Sequence, residues 1–156
     1  MNIPVHLKHK PVIVSEEYDL IDGRFSQSTD AKGLSLGLAQ WNDRGRVDIS
    51  AKIWRHTGGK WSRQSEELPL HRVLDLAILI CRSKLYFQER YHLDKEDPHI
   101  DRIGLQGGAM NVDLGVGNDQ LATDIELFDA CLHEDDEIIS ERLKALADLL
   151  RELGIA

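Results

Sequence analysis

Long apolar runs are absent from this sequence, which limits where the protein can reside. The longest run covers residues 76–81, whereas a helix that crosses a bilayer needs about 20 consecutive apolar residues. The first ten residues also lack the apolar segment of a secretory signal. We therefore expect a cytoplasmic protein that has no membrane partner.

Cysteine is scarce too, since Cys81 and Cys131 are the only two. Both fall within predicted helices among apolar neighbours, where a free thiol behaves as a small hydrophobic side chain. A disulfide would instead suit a secreted domain. The pattern predicts two buried, reduced thiols and again favours the cytosol.

Basic residues are outnumbered, with 19 Lys and Arg against 27 Asp and Glu and a formal net charge of −8. A nucleic-acid partner requires a basic surface, so we expect none for this acidic chain. Residues 41–63 are the exception, because they carry six basic and two acidic side chains. The same segment holds all three tryptophans.

The remaining composition, 42% hydrophobic and 29% charged, is typical of a single globular domain that covers residues 1–156. Apolar residues recur with a period of two in residues 34–41 and 47–54, and an apolar stretch covers residues 11–15, so three strands are predicted. Turn residues separate the last two strands, and Gly58 and Gly59 precede a short strand at Trp61. The pattern predicts an antiparallel β-meander.

Helical periodicity dominates the rest of the chain. A long helix is expected from a cap at Ser65 to about residue 90. Its apolar face should be almost wholly buried, above all at Leu74, Ala77, Ile78 and Cys81. Short strands at 100–105 and 109–116 and two further helices at the C-terminal end follow. The predicted class is α+β, with the meander packed against the long central helix.

One segment resembles a known family. Residues 38–77 read LAQWNDRGRVDISAKIWRHTGGKWSRQSEELPLHRVLDLA, which resembles the central block of a family of small bacterial cytosolic proteins of unassigned function. The resemblance covers most of the chain and implies a bacterial, cytosolic, single-domain protein. It carries no catalytic residue over, because none is established for the family.

The tryptophans and arginines of the meander form the candidate ligand site. Arginine suits bidentate binding of phosphate or carboxylate, and an aromatic face attracts cations, so we expect a small anion or an acidic protein surface as partner. The predicted binding residues are Trp54, Arg55, His56, Trp61, Arg63, His71 and Arg72. A structural alternative stays open, in which Trp54 and Trp61 form a cross-strand pair that covers the core.

A weak metal candidate lies just downstream. Glu67, His71 and Asp75 stand four residues apart, which would place them along one side of the long helix. Three ligands from one helix rarely surround an ion without others, so a hydrogen-bonding stripe is favoured, and no metal or cofactor is predicted. Nucleophilic catalysis is not predicted either, because no Ser, Cys, His and acidic residues stand out as an activated set.

These patterns favour a non-catalytic binding or interaction module. The first alternative is an enzyme acting on a small anionic or phosphorylated substrate, with Arg55, Arg63 and Arg72 for binding and His56 or His71 as acid or base. The second is a structural or regulatory homo-oligomer assembled through its helices. The apolar seam of the last helix covers two heptads, which is short for a self-standing coiled coil, so a monomer is favoured over a homodimer.

Overall fold

The structure is a computed structural model, and it describes residues 2–43, 47–62, 65–89, 91 and 93–156. The chain folds into two compact units, Met1–Ile78 and Leu79–Ala156. The predicted α+β class is confirmed, since the described residues combine antiparallel strands with three α-helices. The organisation as one domain stays a prediction.

The strands of the first unit form one antiparallel sheet. β1 (Lys10–Glu16) pairs with β2 (Ala31–Leu38), which pairs with β3 (Ile49–Thr57). Two short strands also pair with β3, β4 (Lys60–Trp61) at its C-terminal end and β5 (Glu67–Pro69) near its start. The predicted meander of β2, β3 and β4 is therefore confirmed.

Glycines at two places explain how this sheet is built. Gly58 and Gly59 connect β3 to β4 with φ angles of 62° and 82°, which residues with a Cβ atom rarely adopt. Gly37 lies beside the start of β1, and a Cβ atom there would lie 2.1 Å from the Lys10 carbonyl oxygen. Its missing side chain thus lets the N-terminal segment approach β2 closely.

The sheet has two unlike faces, because side chains alternate along a strand and paired residues share a face. The inner face is the one that the N-terminal segment covers through His9. Its buried members include Ser35, Ser50, Lys52 and Trp54. The outer face carries apolar side chains that are exposed, including Leu36, Leu38 and Ile49. The predicted alternation is present, but the more polar set is the more buried one.

Helix α1 (Leu70–Gln88) begins later than predicted. Strand β5 occupies the predicted first turn, because its residues pair with residues 50–52 of β3. Ser65 consequently does not cap the helix. Its hydroxyl donates to the Ser62 carbonyl and accepts the backbone N–H of Arg55. Acidic residues followed by Pro69 resemble a helix start, yet they also suit a short edge strand.

The expected burial of α1 is wrong. None of its residues, all of which are described, is buried, and Leu74 is 60% exposed. Helical periodicity shows which side chains are apolar, but it does not specify what covers them. Among the described residues, the largest wholly buried side chains are instead Trp54 and His9 of the first unit.

The second unit contains a hairpin of β6 (His99–Leu105) and β7 (Gly108–Asp113), then α2 (Leu121–Glu134) and α3 (Asp136–Glu152). The two predicted short strands and both C-terminal helices are confirmed, and the strands pair with each other. Cys81 and Cys131 are free, as predicted, but both are exposed, so the expected burial of the thiols is wrong. No helix in the described ranges is long and apolar enough to cross a bilayer.

Candidate functional site

A buried polar network crosses the inner face, with the wholly buried His9 at its centre. His9 Nε2 lies 2.9 Å from Ser35 Oγ. His9 Nδ1 lies 2.9 Å from Ser50 Oγ and 3.0 Å from Glu67 Oε1. Ser50 Oγ also donates to Glu67 Oε1 at 2.6 Å, as does the Gln40 backbone N–H at 3.0 Å. The network therefore joins the N-terminal segment to β2, β3 and β5.

The groups around His9 determine its tautomer. Trp54 Nε1–H donates to Ser35 Oγ at 2.8 Å. Ser35 Oγ can accept or donate a second bond at His9 Nε2, whereas Ser50 Oγ donates to Glu67 Oε1 and an ionised carboxylate only accepts. His9 Nδ1 then carries the ring proton and shares it between Ser50 Oγ and Glu67 Oε1. Both ring nitrogens of His9 therefore have hydrogen-bond partners.

Glu67 places a negative charge on this buried face, since its side chain is 2% exposed. Burial opposes ionisation, but hydrogen bonds from Ser50, the Gln40 backbone and His9 outweigh it and hold the pKa of Glu67 below its ordinary value. All of those bonds reach Oε1. The buried Oε2 has no hydrogen-bond partner among the described residues, so one acceptor of this carboxylate is left unsatisfied there.

Lys52 stands between Ser35 and Glu67 in the strand ladder, opposite Ser35 of β2 and Glu67 of β5. It is 8% exposed, and its Nζ lies 4.3 Å from the centre of the Trp54 ring. Burial lowers the pKa of Lys52, and the nearby Glu67 charge offsets part of this effect. The ammonium has no ion pair within the described ranges. An aromatic ring therefore supports this buried cation in place of a salt bridge.

A cavity of about 670 Å³, which we call the Lys52 cleft, opens beside this lysine. The N-terminal segment and the β3–β4 hairpin supply most of its walls. Its lining residues are His6, Leu7, Lys8, His9, Gln40, Lys52, Trp61 and Ser62. A cleft of this size accommodates a small molecule, and Lys8 and Lys52 give it positive charge.

Nearly the whole chain matches one protein family. The model of a family of unknown function, DUF6530, matches residues 1–155. The chain belongs to this family. Its membership confirms the predicted resemblance to a family without an assigned function. Comparisons with curated proteins and with solved structures found no match.

The two tryptophans of the predicted ligand site differ in burial. Trp54 is wholly buried, and its ring meets the half-buried Trp61 ring edge to face, with centroids 6.0 Å apart. This is the packing expected from the structural alternative. Trp61 also meets the His56 ring at 5.1 Å, and it lines the Lys52 cleft. Arg63, the last predicted member of the hairpin, lies outside the described residues.

Two carboxylates bind Arg55, which the sequence predicts to donate hydrogen bonds to an anion. Its Nη1 donates to Asp30 Oδ1 at 2.6 Å, and its Nη2 donates to Glu66 Oε1 at 2.7 Å. An incoming anion would have to displace one of them. His71 and Arg72 are exposed at the start of α1, where they line a second cavity of about 690 Å³. The ligand-binding role of these three residues stays a prediction.

Glu67, His71 and Asp75 do not lie along one helix, so the geometric basis of the weak metal candidate is wrong. Glu67 belongs to β5 and bonds to the network around His9, whereas His71 and Asp75 belong to α1. No group of three or more His, Cys, Asp or Glu side chains in the described part of the chain is arranged to hold a metal ion.

His9, Ser35, Ser50 and Lys52 are missing from the site predicted by the sequence. One signal does point to Ser35, because residues 33–37 read G-L-S-L-G and match the nucleophile pattern G-x-S-x-G. The expectation of no activated nucleophile set is incomplete in this respect, since Ser35, His9 and Glu67 have the hydrogen-bond order of a Ser-His-acid triad. Nothing in the sequence around residue 9 predicts that its ring reaches β2 and β5.

The setting of this G-x-S-x-G pattern differs from a nucleophile elbow, which is a sharp turn between a strand and a helix. Here Ser35 lies within β2, and Gly33 and Gly37 share its face. A Cβ atom at Gly33 would lie 2.6 Å from the Ile3 side chain, so both glycines make room for the N-terminal segment. Ser35 is 4% exposed and already accepts the Trp54 N–H, which is the behaviour of a structural group.

Proposed function

We propose that the protein is a non-catalytic binding module that holds a small anionic ligand in the Lys52 cleft. The observation that carries this proposal is the Lys52 ammonium, which is buried and lines the cleft. It has no ion-pair partner among the described residues. A buried charge is costly unless another charge or polar group compensates it. The Trp54 ring and the nearby Glu67 charge supply part of that compensation, and a bound anion would add to it.

The surrounding tryptophans support the same function. The face of Trp54 lies under the Lys52 ammonium, and Trp61 packs edge-on against Trp54 while lining the cleft. An anion that pairs with Lys52 would therefore alter the environment of both indoles. The proposal keeps the basic, tryptophan-bearing hairpin of the sequence prediction, with Lys52 in place of Arg55 as the binding cation.

The size of the cleft and the charge of the chain restrict the ligand. A volume of about 670 Å³ suits a small molecule. The net charge of −8 repels long polyanions, so nucleic acid is not part of the proposal. Phosphate-bearing or carboxylate-bearing small molecules are the proposed ligand class.

Inorganic phosphate and succinate provide direct probes. In the millimolar range, either or both should change the tryptophan fluorescence of the wild-type protein saturably and raise its melting temperature. Lys52→Met should abolish both responses, with circular dichroism to verify its fold. Lys60→Met, which removes an exposed lysine of the same hairpin, should retain them. If the wild type responds to neither probe, the anion site is wrong.

A second candidate function is an acyl-transfer enzyme that acts on a small anionic ester. The hydrogen-bond order of Ser35, His9 and Glu67 favours it, whereas the burial of Ser35 opposes it. A fluorophosphonate probe distinguishes the two functions, because it labels a reactive serine covalently. We expect no labelling of Ser35. Labelling that is lost in His9→Gln would favour the enzyme over the binding module.

We also propose a bacterial, cytosolic and monomeric protein. The free thiols of Cys81 and Cys131 support a reducing compartment, and the resemblance of residues 38–77 supports a bacterial source. Light scattering of the purified protein tests the monomer. A dimer that Leu146→Glu converts into folded monomers would contradict it and favour the homo-oligomer.

A further inference from the structure

The Lys52 cleft contains two lysines in different environments. Lys8 is exposed, whereas Lys52 is buried against the Trp54 ring. Burial lowers the pKa of Lys52, so more of its amino group is neutral at a given pH. The neutral amine is the nucleophilic form of lysine. Lys52 therefore combines access to a ligand with the form that bond formation requires.

We infer that Lys52 forms an imine with a small ligand that carries both a carbonyl group and an anionic group, such as a 2-oxo acid. The inference deepens the proposed function and rests on it, because the anionic group is what brings the ligand to the Lys52 cleft. In the imine of a 2-oxo acid, the carboxylate is attached to the carbon that bonds to nitrogen. The pairing of a cation with an anion is therefore preserved once the imine is protonated.

The bond changes balance without a further reactant. The lone pair of Lys52 Nζ attacks the carbonyl carbon, a C–N bond forms, and the π pair moves to the oxygen. A proton passes from nitrogen to that oxygen, which gives a carbinolamine. A proton taken up from solvent allows the hydroxyl to leave as water while the nitrogen lone pair forms the C=N bond of a protonated imine, and the neutral imine forms when that proton returns to solvent. Amine and carbonyl thus yield imine and water, and nothing is oxidised or reduced.

The residues around Lys52 suit this chemistry. Protonation of the imine restores a cation at the nitrogen that lies over the Trp54 ring, so the cation–π contact survives the reaction. Glu67 is the partner of Lys52 in the β3–β5 pairing, and its Oε2 has no hydrogen-bond partner in the part of the chain that is described. The negative charge of Glu67 favours the charged form at the Lys52 nitrogen, and hence the protonated imine.

Glyoxylate with sodium cyanoborohydride tests the inference, because the hydride reduces an imine to a stable carboxymethyl-lysine that peptide mapping can locate. Lys52 lines the cleft and burial lowers its pKa, so we expect Lys52 to be labelled faster than the exposed Lys8. This comparison is made within the wild-type protein and does not depend on a variant that folds. Equal labelling of both lysines, or labelling of Lys8 alone, would overturn the inference.

Lys52→Arg separates this inference from the proposed function. Arginine keeps the positive charge but does not form the imine, so the variant should retain a fluorescence response to phosphate and lose the adduct at position 52. A wild type that responds to phosphate without an adduct at Lys52 would contradict the imine while the anion site stands. An adduct at Lys52 in a protein that ignores phosphate and succinate would support the imine and contradict the anion site.

Discussion

Lys52 and Arg55 are cations of the same strand, yet β3 places them in opposite settings. Lys52 lies on the inner face, buried on Trp54 and without an ion pair among the described residues. Arg55 lies toward the outer face, where Asp30 and Glu66 bind its guanidinium group. Both residues belong to the basic segment 41–63, so the local charge of the sequence does not distinguish them. The face of the strand therefore decides whether the chain neutralises a cation or leaves it available to a ligand.

The largest expected effect comes from removing the ring that supports Lys52. Trp54 is wholly buried and donates its Nε1–H to Ser35, so Trp54→Ala would leave a cavity and an unsupported cation on the inner face. We expect a loss of about 3–5 kcal/mol in the free energy of unfolding, measured by urea denaturation. Trp61→Ala is the matched control and should cost less, because Trp61 is half-buried. If Trp54→Ala loses no more unfolding free energy than Trp61→Ala, Trp54 does not have the predicted role in the core.

Glu67→Gln should have the next largest effect. The substitution removes the charge that accepts hydrogen bonds from Ser50, His9 and the Gln40 backbone. Hydrogen bonds to a charged group contribute about 1.5–3 kcal/mol, and we expect a loss in that range at pH 7. Glu66→Gln is the control, since its carboxylate binds Arg55 on the exposed side of the sheet. Equal losses in the two variants would contradict the special role of the inner face.

The same variant has a predictable dependence on pH. Folding lowers the pKa of Glu67 despite its burial, so its stabilising effect is fully present above the unfolded-state pKa of about 4.3. The effect is lost as the pH falls through the lower folded-state pKa. The difference in unfolding free energy between wild type and Glu67→Gln should therefore shrink below about pH 4. A difference that stays constant down to pH 3 would contradict this assignment.

The comparison of the two cations also shows what sequence can and cannot predict. Alternation in residues 34–41 and 47–54 correctly predicts the strands, and the glycines at 58 and 59 correctly predict the turn, because both signals are local. Burial is not local. Alternation distinguishes two faces but does not reveal that a segment containing His9 covers the one with Ser35 and Lys52.

The candidate site was predictable to a similar extent. The excess of basic and tryptophan residues points to the hairpin that lines the Lys52 cleft, but it favours Arg55, whose carboxylate partner Asp30 lies 25 residues away in the chain. Glu67 shows the same limit, since its spacing from His71 predicts a shared helix face, whereas pairing with β3 places Glu67 on a strand. Long-range pairing decides both cases, and single-sequence periodicity carries no information about it.

Arg55→Met should have the smallest effect and completes the comparison with Lys52→Met. Arg55 and its two carboxylate partners are each between 34% and 47% exposed, so solvent screens both ion pairs and the expected loss is about 1 kcal/mol or less. The loss should diminish further in about 1 M salt. The fluorescence response to phosphate should persist, in contrast to Lys52→Met.

The titration of the two carboxylates provides an independent measurement for Arg55→Met. The hydrogen bond from Arg55 is the main cause of the lowered pKa of Glu66, whereas the Thr57 hydroxyl is the main cause for Asp30, ahead of Arg55. Carboxyl NMR titration should therefore show the pKa of Glu66 returning close to its ordinary value and that of Asp30 rising only partly. If both pKa values stay where they are in the wild type, Arg55 does not hold these carboxylates in solution. The guanidinium group would then be available to an anion, and the contrast with Lys52 would be lost.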